Sequence, residues 1–159
     1  MNALVVLTAY GMRDDQLWYV AHPIHPTEEE IAAWVKRLVP PIPSFVSMAP
    51  DLDPARLVIL DNIVNAKAWL AWLVRRFPRI TFIAPWIASL DGGGDDDLDP
   101  AQRARGLRDC CRTVKMCSGL IHVGGRVSSG MLEEASHART VVDLTFLGRS
   151  PPIDNEVTP

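Results

Sequence analysis

The chain predicts an α/β fold, a parallel sheet covered by helices on both faces, and three observations carry that prediction. Short apolar runs rich in β-branched and aromatic residues alternate with stretches of helical periodicity, the order that βαβ units produce. Those runs are nearly continuous in apolar residues, as strands buried on both sides are. The length of 159 residues suits one such domain with a single core.

Each element follows from its residues. Leu17-Trp18-Tyr19-Val20-Ala21 reads as a buried strand stopped by His22-Pro23. Thr27 and Glu30 have the capping-box spacing of a helix start, and Ile31, Trp34, Val35 and Leu38 continue it as one stripe until Pro40. Pro54 opens a second helix, strongest from Asn62 to Phe77, where Ile63, Ala66, Trp69, Leu70 and Leu73 recur at helical spacing. Ile80 to Ala84 forms a second strand ended by Pro85-Trp86, and the run from Asp91 to Asp97 reads as a solvated, glycine-hinged acidic loop. A helix over Pro100–Cys117, a strand over Gly119–Val123, a helix over Met131–Arg139 and a strand over Thr140–Leu144 complete the pattern. Residues 1–159 are thus one domain, with a loose tail from 149. Ala3 to Thr8 is either a further strand or an upstream extension ahead of a start at Met12.

Composition narrows the function. Hydrophobic residues make up 48% and charged residues 22%, ordinary for a globular protein, and 16 Lys plus Arg against 19 Asp plus Glu leave a net charge of −3. That balance gives no electrostatic footprint for a nucleic acid polymer. No uninterrupted apolar run reaches the roughly 20 residues of a membrane span, and the amino end lacks the cationic start and cleavage site of a secretory signal. Cys110 and Cys111 are neighbours on a helix and Cys117 is the odd third, so free thiols and a cytoplasmic address are expected. Neither CxxC nor HxxxH spacing occurs, so no metal or cofactor is expected.

Ligands of open parallel sheets bind beyond the carboxyl ends of the strands. Three segments fall there: His22-Pro23, Pro85-Trp86, and Gly124-Gly125-Arg126-Val127-Ser128-Ser129-Gly130, which runs into a helix beginning near Met131. Glycines let backbone N–H groups approach a ligand, and a helix amino end favours an anion such as phosphate. Glu134 lies one turn into that helix and projects back toward the loop, while Glu133 points about 100° away. A carboxylate beside an anomeric carbon is placed to act as a nucleophile through an oxocarbenium-like transition state. The plainer reading is that both glutamates offset the helix dipole.

Taken together, Tyr19-Val20-Ala21-His22-Pro23-Ile24, Asn62 with its helix, Ala84-Pro85, and Gly124 through Glu134-Ala135 resemble the nucleoside 2-deoxyribosyltransferase-like superfamily, which includes nucleoside 5′-monophosphate N-glycosidases. The resemblance spans about Leu17 to Leu147, and against it residues 26–61 look like an enlarged connection. It implies a three-layer Rossmann/flavodoxin-like fold and cleavage or transfer at the N-glycosidic bond of a nucleoside or nucleotide. It further implies that Glu134 is the nucleophile, Tyr19 orients it, and Asp109 or Cys110 stands where the family's proton-donating aspartate does. Ser128 occupies the place of a phosphate-binding serine, which tilts the substrate toward a monophosphate. Ser129, Gly130 and Met131 would complete that grip, and Trp86 would cover the base. His22 departs from the family's usual glycine. The resemblance also implies a homo-oligomer, with the tryptophan-rich helix offering an apolar surface. A nucleotide-binding sensor without turnover is the principal alternative. A phosphoribohydrolase of the cytokinin-activating type is the weaker one, since its loop proline is missing here.

Overall fold

A computed structural model describes residues 11–38, 53–91 and 96–153. The first strand, β1 (Leu17–Ala21), is followed by helices α1 (Glu28–Leu38) and α2 (Pro54–Arg76) and by strand β2 (Thr81–Ile83). Helices α3 (Trp86–Asp91) and α4 (Pro100–Val114), strand β3 (Gly119–His122), helix α5 (Ser129–Ser136) and strand β4 (Val141–Asp143) follow, and a 3-10 turn spans Thr145–Leu147. All strands are parallel in the order β2-β1-β3-β4, with Tyr19 level with Ile83 on one side and Leu120 on the other. This is an α/β sheet of the flavodoxin-like order, and its chain reversal falls between β1 and β3.

The period of two along β1 assigns the layers. Trp18 and Val20 face α2, where they join Trp69, Trp72, Leu73, Phe82 and Ile121 in one core. Tyr19 and Ala21 face the opposite way, onto Cys110, Val114, Cys117 and Met131 of α4, α5 and the turn between α4 and β3. Trp69 and Trp72 are therefore core residues, fully buried and packed edge to face, rather than a surface for a partner. The three cysteines are thiols and all are buried.

Helix starts follow the sequence signals closely. Thr27 and Glu30 exchange the reciprocal backbone bonds of a capping box, at 3.1 and 2.9 Å. Asp53 and Asp99 each precede a proline and cap α2 and α4 by accepting from backbone N–H groups at 2.9 Å. Four expectations need correction. Residues 86–91, expected as the beginning of a loop, form α3, because Pro85 suits a helix entry as well as a strand end. Helix α5 begins two residues before Met131 and stops at Ser136, and α4 ends at Val114, short of Cys117. The tail is not loose at its start: the Arg149 carbonyl accepts from the Trp69 indole at 2.8 Å, its guanidinium reaches Asp61 and Asn62, and Ser150 bonds Asn65. Ala3 to Thr8 and residues 92–95 of the acidic loop lie outside the described residues.

Candidate active site

The segments that follow β1, β2 and β3 converge on one cavity of about 180 Å³, at the carboxyl edge of the sheet where the strand order reverses. Its walls come from the β1 loop, α3, the segment before α4, α4 itself and the start of α5.

Glu134 forms part of this wall although it is only 7% exposed. Its Oε1 accepts a 2.8 Å hydrogen bond from the Tyr19 hydroxyl, which reaches up from the wholly buried face of β1. The Cys110 thiol on α4, packed in the same buried cluster as Tyr19, lies beside it. Burial pushes the Glu134 carboxyl up to about 7, and the Tyr19 and Cys110 donors, which favour the ionised form, offset only part of that rise. The same burial, beside the Glu134 charge, drives Tyr19 well above its ordinary value and the Cys110 thiol up to about 12. Both groups therefore remain protonated at neutral pH, beside a carboxylate poised between its two forms.

Ser128 caps α5, accepting from the Met131 N–H at 3.3 Å, and with Gly130 it lines the cavity. The glycines before it serve packing. Gly124 has a φ of +94°, and an added Cβ would lie 2.5 Å from the His22 ring nitrogen Nε2. Gly125, at φ +81°, presses against the Arg149 backbone. The His22 ring is bonded through Nδ1 to the Pro23 carbonyl at 3.0 Å, its buried Nε2 has no partner among the described residues, and burial lowers its pKa to about 4. At neutral pH it is an uncharged wall rather than a cation for phosphate. Arg126 leaves the loop to pair with both Glu30 oxygens, at 3.1 and 3.0 Å, and with the His25 carbonyl. That pairing fixes the loop to α1.

Opposite α5, Asp97 faces the cavity with its side chain only 14% exposed. One oxygen, Oδ2, takes both Arg103 Nη1 and His25 Nδ1 at 2.9 Å. Next to it, Asp96 pairs with Arg56 of α2 at 2.6 Å and its N–H donates to Gln102. The stretch read from sequence as solvated is, from Asp96 onward, bound into the wall.

The residues singled out in the sequence separate clearly. His22, Pro85, Trp86, Ser128, Gly130 and Met131 line the cavity with Glu134, and Asp109 joins them at the rim. Pro23, Gly124, Gly125 and Ser129 are not part of its lining, and Tyr19 acts from beneath through Glu134. Trp86 is anchored by its indole N–H on the Val20 carbonyl at 3.2 Å. Of the two acid candidates, Cys110 is the one buried against Glu134, while the exposed Asp109 carboxylate meets Arg112 at 3.3 Å. Sequence reasoning missed Arg103, Asp97 and His25. Helical spacing alone reaches Arg103: stepping back from Cys110 by four and then three residues along α4 gives Gly106 and Arg103, both in the cavity wall. Among the described residues no three His, Cys, Asp or Glu side chains are grouped to hold a metal ion. Comparison of the chain with protein-family models, curated proteins and solved structures finds no match.

Proposed function

We propose that this protein cleaves, or transfers at, the N-glycosidic bond of a nucleoside or nucleoside 5′-monophosphate, with Glu134 as the nucleophile. The observation that carries the reading is a buried carboxylate in a cavity wall at the sheet's switch point, held by the Tyr19 hydroxyl at 2.8 Å. In the proposed reaction the ionised Glu134 oxygen bonds C1′ as the C1′–N bond breaks. The departing base takes the bonding electron pair and a proton from solvent water, and a second water, giving its proton back to solvent, or a second base then releases the sugar from Glu134. Tyr19 keeps one carboxylate oxygen fixed while the other attacks. Ser128 and the first turn of α5 lie where they can receive the 5′ end. Trp86 offers a ring to the base.

A second reading, binding without turnover, is favoured by one feature: the Asp109 carboxylate turns to Arg112, and the group beside Glu134 is a thiol held up at about 12, a poor proton donor to a leaving base. The two readings separate in one assay. The protein is incubated with ribo- and deoxynucleosides and their 5′-monophosphates, and released base is followed by chromatography. The enzymatic reading expects release by wild type and a loss of at least about a thousandfold in Glu134→Gln, the scale of removing a catalytic nucleophile. Equal release by both would exclude Glu134. Tight binding with no release by either supports the sensor.

The proposal also includes a cytoplasmic setting and self-association. Leu60, Val64 and Val74 of α2 point outward, away from the core that its tryptophans fill, and are 54%, 64% and 48% exposed. Helix α2 is long and apolar enough to cross a membrane by composition, yet its other face is packed against the sheet.

A further inference from the structure

The group of charges on the α4 side of the cavity is not explained by the carboxylate chemistry. Asp97 is held at a single oxygen by two donors from different parts of the fold, Arg103 of α4 and His25 of the β1 loop, each at 2.9 Å. A carboxylate only accepts, so His25 Nδ1 carries a proton in this contact. The Arg103 guanidinium is mostly buried and spans two places. Its Nη1 is on Asp97, while its Nη2 reaches within 4.0 Å of the Cβ position at Gly130, a point 3.9 Å from the Ser128 hydroxyl. The guanidinium thus lies over the same first turn that Glu134 extends from by one turn. Asp97 belongs to a strap, Asp96–Asp99, whose other ties are Asp96 to Arg56 and Gln102 and the Asp99 cap of α4.

We infer that Arg103 and His25 form the anion-recognising pair of this site, and that Asp97 is a built-in stand-in for the ligand's anionic group, displaced when that group binds. The inference deepens the proposed function and rests on it for the ligand class, a sugar phosphate joined to a base. A phosphate carries more charge and more acceptor oxygens than a carboxylate and engages both prongs of a guanidinium. It also satisfies the Ser128 hydroxyl and the α5 amino end, which Asp97 leaves unused. Binding a phosphorylated ligand therefore frees the Asp96–Asp99 strap from its central contact. A ligand without phosphate leaves that contact in place.

Calorimetric titration of the full chain with AMP, GMP, CMP and UMP, the four corresponding nucleosides, and inorganic phosphate tests the pair. Arg103→Gln is expected to weaken monophosphate binding about tenfold or more, the scale of a lost charged hydrogen bond, and to leave nucleoside binding unchanged. Arg103→Lys recovers part of the loss. Asp97→Asn is expected to tighten monophosphate binding by about threefold, the scale of one partly screened ion pair. Amide hydrogen exchange in the wild-type protein tests the displacement without any substitution: exchange at Leu98 and Asp99 should rise on saturation with monophosphate but not with nucleoside. Equal weakening of both ligand classes by Arg103→Gln, a weaker monophosphate complex in Asp97→Asn, or unchanged strap exchange would overturn the inference. So would the absence of monophosphate binding by any form of the protein, even if nucleosides were cleaved. Conversely, intact phosphate coupling without base release removes the catalytic reading and leaves this one standing.

Discussion

Glu134 is a carboxylate whose surroundings work against its charge. Burial raises its pKa from 4.5 to about 7, so the folded protein holds this proton more tightly than the unfolded chain does. The associated stability is fully present below pH 4.5 and is lost as the pH rises through about 7. The ionised form then carries a penalty on the order of 3 kcal/mol, because each pKa unit is worth about 1.4 kcal/mol. Glu134→Gln should accordingly match the wild type in denaturant midpoint near pH 5 and exceed it near pH 8. A variant less stable than wild type at pH 8 would show that the carboxylate is stabilised rather than stressed. The same titration sets activity in the opposite direction, since the nucleophile is the ionised form and base release should climb through neutrality. The place of Glu134 beside the glycine–serine loop was legible in the sequence because that loop runs straight into its helix, but its role came only from a resemblance, since a glutamate in a first helical turn also serves to offset the dipole. The Asp97, Arg103 and His25 cluster was not, because its members lie far apart in the chain and acidic runs are usually solvated.

At the level of elements, each strand was legible because fully buried parallel strands are short apolar blocks with clear stops, and each long helix because its cap and stripe agree. The short α3 was not legible: six residues after a proline carry too few turns to show a period. The glycine loop shows a different limit. Its composition invites a phosphate-cradling reading, yet Gly124 and Gly125 are required by the close approach of His22 and Arg149. Composition cannot distinguish a backbone that is open to a ligand from one that is open to its own neighbours. Gly124→Ala should therefore cost stability directly, by about 1–3 kcal/mol for a side chain forced to positive φ and more for the clash with the imidazole. Thermal unfolding checks this, and an unchanged midpoint would mean that the loop has another way to fold.

For the whole molecule, the sheet order places one cavity where the outward path of the chain turns back, and among the described residues the outer face of α2 is left exposed. Leu60, Val64, Ala71 and Val74 repeat there at intervals of four, seven and three residues, a seam suited to a second helix. Self-association through that seam is expected to appear as a dimer by light scattering and to dissociate in Leu60→Glu combined with Val64→Glu. A wild-type monomer at every concentration would remove it. Partner choice and substrate identity were beyond the reach of the sequence, because both depend on surfaces assembled from several elements. The anchorage of Arg149 has a practical corollary. Its backbone backs the glycine loop and receives the Trp69 indole, so trimming the chain after Gly148, or fusing a tag tightly there, would remove the support behind that loop. A protein shortened in this way should unfold at a lower temperature, because the Trp69 indole loses its acceptor.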